Sequence, residues 1–150
     1  KQVGLALGQR IAGDTAQAKV DAEQARNTLE SLKKDQPDNA FVAAALAVAY
    51  AILDEKDSAL NETQRAIALL PSNKDRLSGP GLEENLALVE TIIGENDRAI
   101  AVLTLLLRTP YGGWLYSPTP ITPALLRLDP IWDPLRSEPV FQTLCQEKQP

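Results

Sequence analysis

Between Ala40 and Pro71 two helical patterns follow one another with almost no room between them, and no other stretch restricts the fold as tightly. Phe41 to Leu53 is apolar at nearly every position and built mainly from Ala, Val and Leu. A helix of that composition has to be covered on most sides, and its small residues let neighbouring backbones come close. Ser58 to Leu70 instead spaces Ala59, Thr63, Ala66, Ile67 and Leu70 by threes and fours, with Asn61, Glu62, Gln64 and Arg65 between them. That is a one-faced amphipathic helix. The polar link Asp54-Glu55-Lys56-Asp57 is long enough only to fold the second helix antiparallel against the first. Pro71 ends the pair, because the residue before a proline is pushed out of the helical region.

The same arrangement recurs on both sides. Leu5-Ala6, Gly13-Asp14 and then Ala18, Ala22 and Ala25 repeat the spacing upstream, with Gly13 closing one helix and Asp14 capping the next. No proline interrupts that second helix before Pro37, so it should run through Leu29 and Leu32 and be the longest in the chain. Downstream, Leu86-Ala87 and Ala99 repeat Leu46-Ala47 and Ala59 at a common offset of 40 residues. Ser78-Gly79-Pro80-Gly81 is expected to be a loop. Gly94 should end the first helix of this third pair, and Asn96 or Asp97 should start a second that reaches Arg108 before Pro110. Glu90 stands where the central pair has Tyr50, and a carboxylate there is expected to snorkel out to water.

Leu46, Ala47, Tyr50, Ala59, Ala66 and Pro71 together resemble the tetratricopeptide repeat, whose consensus places Trp, Leu-Gly, Tyr, Ala, Phe and Pro at set spacings. Ala43 and Thr63 depart from it at the Trp and Phe positions. The resemblance implies an all-α, right-handed solenoid of about three hairpins, over residues 1–37, 38–73 and 80–110, closed by a proline-rich capping tail over 111–150. The family period of about 34 residues leaves roughly six inserted residues within Ser72 to Gly81. The tail, and within it Leu128-Asp129-Pro130-Ile131-Trp132-Asp133-Pro134-Leu135-Arg136, also resembles the closing segment of tetratricopeptide regions in bacterial multidomain regulators. This implies a single domain taken from a longer regulatory or scaffolding protein, as does an opening, Lys1-Gln2-Val3-Gly4-Leu5, that already lies inside a helical pattern.

Composition narrows the chemistry. With 15 basic and 20 acidic residues the formal charge is -5, which disfavours nucleic acid and anionic membrane surfaces as partners. No His and a single Cys, Cys145, leave no imidazole acid-base chemistry, no zinc cluster and no internal disulfide, and one cysteine does not identify a compartment. The apolar run from Phe41 to Leu53 has 13 residues, against the roughly 20 a bilayer-spanning helix needs, so membrane insertion is not expected.

In the tail, Asp129-Pro130, Asp133-Pro134 and Glu138-Pro139 pair an acid with a proline as at the start of short helices. Leu125, Leu126, Leu128, Trp132, Leu135, Val140, Phe141 and Leu144 supply the apolar surface that would close a repeat stack. No phosphate-binding loop or nucleophile motif accompanies these acids, so no enzymatic role, cofactor or metal is read from them. The loop Tyr111-Gly112-Gly113-Trp114-Leu115-Tyr116 gathers three of the seven aromatic residues, which either pack beneath the tail or serve recognition.

Two functions from different classes follow. By the family's geometry, the first helix of each hairpin would line a concave groove for a peptide or helix, through Val3, Leu7 and Arg10, then Ala44, Val48 and Ala51, then Glu84, Leu88 and Thr91. Val48 is expected to face outward, and Leu46 and Tyr50 inward. The other reading is a structural spacer or homodimerisation element whose groove is filled by its own parent chain.

Overall fold

The structure, a computed structural model, describes residues 1–113 and 119–147. The described residues are helical, with no strand. The chain divides into two compact units, 1–71 and 72–150.

The first unit holds two hairpins: α1 (Gln2–Ile11) with α2 (Thr15–Asp35), and α3 (Ala40–Ile52) with α4 (Lys56–Leu69). Asp14 opens α2 by accepting the Gln17 N–H at 3.1 Å, and Asn39 opens α3 by accepting those of Phe41 and Val42 at 3.0 and 3.2 Å. Both side chains thereby satisfy donors that the first helical turn cannot. As the proline pattern predicts, α2 is the longest described helix, with 21 residues. It sends Lys19, Arg26 and Lys33, seven residues apart and so on one stripe, to Asp54, Glu55 and Glu62 of the second hairpin. The outer pair is well exposed and contributes little. Glu62 is a different case, because its side chain is only 10% exposed and is held by both Lys33 and Arg65.

At the centre of this unit is α3, packed against α1, α2 and α4. Ala43, Ala44, Leu46, Ala47, Val48 and Ala49 are all wholly buried. Leu46 faces inward as expected, while Tyr50 is half-buried with its hydroxyl donating to Glu30 at 2.8 Å.

The second unit contains one hairpin, α5 (Gly79–Ile92) with α6 (Asn96–Leu106), and a tail of α7 (Pro123–Leu128), a 3₁₀ helix (Pro130–Leu135) and α8 (Pro139–Leu144). The expected loop at Ser78 to Gly81 is corrected: Gly79, Pro80 and Gly81 form the buried first turn of α5. Proline is tolerated there because its missing N–H would have had no intrahelical partner. The turn that delivers the chain to α5 is set by Asp75, whose carboxylate accepts the N–H groups of Leu77 and Ser78 at 2.9 Å each. These bonds hold its carboxyl below the ordinary range. The second correction is at the end of α6, which stops at Leu106 and passes into turns before Arg108.

All three hairpins use the same connection. Gly13, Asp54 and Gly94 lie in the left-handed region, with φ of +85, +64 and +81°. In each, the following residue donates back across the turn: Asp14 to Gln9, Glu55 to Tyr50 and Glu95 to Glu90, at 2.9, 2.9 and 2.8 Å. This is the bonding of a glycine-type helix stop, which Asp54 adopts without being glycine.

In the tail, the 3₁₀ helix packs on α5 and α6, and α8 packs on α6. Asp129 caps the 3₁₀ helix through Ile131, as its sequence suggests. Asp133-Pro134 lies inside that helix rather than opening another, and Asp133 accepts from Arg136 instead. Arg136 also donates to the carbonyls of Arg127 and Asp129, so one guanidinium joins the end of α7 to the 3₁₀ helix. Leu126, Trp132, Leu135, Phe141 and Leu144 point inward, whereas Leu128 and Val140 remain exposed. Burial of this kind predicts a clear split. Trp132→Ala and Phe141→Ala should each lose about 3–5 kcal/mol of unfolding free energy in urea titrations, and Leu128→Ala and Val140→Ala less than about 0.5 kcal/mol. Equal losses at all four positions would mean that the tail packs through another face.

Candidate functional site

The residues expected to line a groove fall into both units. Leu7 and Arg10 on α1 and Ala44, Val48 and Ala51 on α3 belong to the first, where the two helices pack against each other. Glu84, Leu88 and Thr91, all on α5, belong to the second. Arg10 is half-buried, and none of the other seven is more than 8% exposed. The expectation that Val48 faces outward is therefore corrected, since it is wholly buried. The reason is compositional: α3 is apolar around most of its circumference and packs against three helices, so apart from Phe41 in its first turn it keeps little free surface. Val3 is buried too, and the Thr91 hydroxyl bonds to the Ala87 carbonyl of its own helix at 2.8 Å.

What the second unit places together is a set of buried polar groups on α5. Glu84 accepts a hydrogen bond from the Tyr111 hydroxyl at 2.6 Å, and that same oxygen accepts the Ile121 N–H at 3.0 Å. All three residues are buried. Burial pushes the Glu84 carboxyl up to about 7, against the pull of the Tyr111 bond and with the help of the negative charge of Asp129. The Tyr111 phenol is likewise pushed far up, first by burial and then by the adjacent carboxylate. Tyr111 thus packs inward, in line with the rings lying beneath the tail. Trp114 and Tyr116 of the same sequence cluster lie outside the described residues.

Glu90 is the second buried acid of α5. Contrary to the expectation that it reaches water, it is 1% exposed. Its Oε1 pairs with Arg98 at 3.1 Å, and its Oε2 has no hydrogen-bond partner among the described residues. Burial raises this carboxyl, Arg98 lowers it, and Glu95 adds to the rise. Glu90 thus lies where α5 meets α6, within reach of Arg98. The Glu84–Tyr111 bond left no signal in the sequence, because its partners are 27 residues apart and in different elements.

Chemically, the arrangement binds its own groups. Glu84 and Tyr111 satisfy each other, and the Cys145 thiol is buried and pushed up. Among the described residues no cluster of three or more His, Cys, Asp or Glu could hold a metal ion, and no helix is long and apolar enough to cross a membrane. An open cleft lies at the end of the second hairpin, lined by Gln36 to Phe41 with Leu69 and Leu70. No protein-family model, curated protein or solved structure matches the chain.

A buried acid with one unpartnered oxygen costs stability that a shape-matched apolar residue would not. Glu90→Leu should therefore be at least as stable as the parent at pH 7.5, by up to about 1–2 kcal/mol, since Arg98 is exposed enough to be solvated alone. A raised carboxyl favours the folded state when protonated, so the parent loses stability as pH rises above the ordinary carboxylate range. The advantage of Glu90→Leu should then shrink at pH 5. Urea midpoints at the two pH values check this; a variant that is less stable, with the deficit widening as pH rises, would show the ion pair to be net stabilising.

Proposed function

We propose that the chain is a scaffold element of the tetratricopeptide solenoid kind, acting as a structural spacer or dimerisation module rather than clamping a peptide along its first helices. The observation that carries this reading is the burial of Ala44, Val48 and Ala51, none more than 1% exposed. A groove lined by residues without surface offers a ligand neither apolar area nor hydrogen bonds. The common turn at Gly13, Asp54 and Gly94 supports the repeat character of the hairpins.

Partner binding as such keeps a second observation in its favour. Phe41 is 46% exposed at the cleft formed with Pro37, Asp38, Leu69 and Leu70. On that reading, protein or peptide contacts fall at the end of a hairpin rather than along α3, and the module remains one for protein-protein interaction.

Paired substitutions separate the two faces. Leu46→Ala should cost about 2–5 kcal/mol, and Val48→Glu at least as much, because it forces a charge into the same core. Phe41→Ser should melt within a few degrees of the parent. Thermal melting of the three variants is the measurement; a Val48→Glu protein that melts like the parent would restore the groove and overturn the spacer reading.

A further inference from the structure

We propose that the Glu84–Tyr111–Ile121 chain is a proton-operated catch on the capping tail: neutral Glu84 holds the tail against α5, and ionised Glu84 loosens it. The geometry has three parts. Tyr111 follows α6, and Ile121 stands two residues before α7, where the chain enters the tail. Through one phenol oxygen, the Ile121 backbone is tied to a carboxyl on α5 that is 8% exposed. The tail meets α5 again through the 3₁₀ helix, whose capping residue Asp129 adds negative charge near Glu84.

Among the described residues no cation offsets the charge of Glu84, whose carboxyl is acted on by burial, Tyr111 and Asp129. From the 3₁₀ helix come Asp129 and also Asp133, which is engaged by Arg136. From α6 come Asp97, exposed at its start, and Arg98, which is bonded to Glu90. The connection after α6 contributes Arg108, which is exposed, and Tyr111, a donor but not a charge. Among the described residues an ionised Glu84 is therefore stabilised by the Tyr111 hydroxyl alone, while its solvation is lost and Asp129 repels it. Undocking of the tail returns the carboxyl to water.

The sign follows from linkage. The docked tail raises the Glu84 carboxyl from an ordinary value near 4.5 to about 7, so the docked state binds the proton more tightly. Docking is strongest at acid pH, weakens as pH rises through that window, and is level above it. If undocking restores the ordinary value, the docking constant changes by up to roughly three hundredfold over the whole window. The pH range concerned includes neutrality, so small pH changes would shift how often the α5–α6 face is uncovered.

Hydrogen exchange on the full chain between pH 5 and 8.5, corrected for the pH dependence of free amides, tests the catch. Peptides from α7 to α8 should lose protection by tens of fold between pH 5 and 7 and then level off, while α2 peptides stay constant. Glu84→Gln should flatten the tail's profile, and Glu90→Gln should leave it as in the parent. The proposal is overturned if Glu84→Gln keeps the parent's profile, or if the step disappears in Glu90→Gln instead. Should Glu84→Gln fail to fold, shown by unprotected α5 peptides at every pH, carboxyl carbon shifts of the parent decide. A Glu84 midpoint near 7 supports the catch, and one below 5 removes it.

Discussion

Close approach of backbones around α3 is the constraint on which the first unit depends. Ala43, Ala44, Ala47 and Ala49 are wholly buried, and α3 packs on α1, α2 and α4. Alanine brings little apolar area of its own, so its value is positional: it removes side-chain bulk between helices and costs no side-chain entropy. Leu46, Val48 and Ile52 then fill the space that the alanines leave. Ala18, Ala22 and Ala25 on α2, and Ala59 and Ala66 on α4, continue the same device on the facing helices. The polar pairs of α2 with Asp54, Glu55 and Glu62 lie outside this contact and align hairpins that the apolar core already holds.

The second unit solves its packing differently. Its α5 carries two acids, Glu84 and Glu90, at positions with almost no exposure. One is satisfied by a tyrosine hydroxyl and the other by half an ion pair. The tail covers the α5–α6 hairpin with Leu126, Trp132, Leu135, Phe141 and Leu144. The order imposed by proline, by the Asp129 cap and by the Arg136 guanidinium reduces the freedom of a segment with little regular structure.

Local chemistry makes much of this legible in the sequence. Gly13 and Gly94 sit at positive φ where their patterns place helix stops, Asp14 caps α2, and Pro37 and Pro71 follow the ends of α2 and α4. Each of these is decided within a few residues. Choices that depend on distant partners are not decided locally. Pro80 suits either a loop or a first helical turn, and burial of Gly79 to Gly81 selects the turn. Glu90 could reach water or an arginine, and Arg98 on α6 decides. Family geometry puts Val48 on an outer face, whereas the composition of Phe41 to Leu53 calls for cover on most sides, and Val48 is wholly buried. Glu84 and Tyr111 had no mutual signal at all, because hydrogen bonding between separate elements leaves no periodicity.

Whether α3 is a core helix or one wall of a groove can be measured at a single atom. In a Cys145→Ser chain, Val48→Cys is the only thiol and changes side-chain volume little, so its reaction with a thiol reagent under native conditions reports access to that position. Phe41→Cys in the same chain provides the exposed reference. The enclosed helix predicts that Val48→Cys reacts only as fast as the protein opens, orders of magnitude more slowly than Phe41→Cys, and that the rate rises with urea. Reaction of Val48→Cys at the rate of Phe41→Cys without denaturant would contradict it.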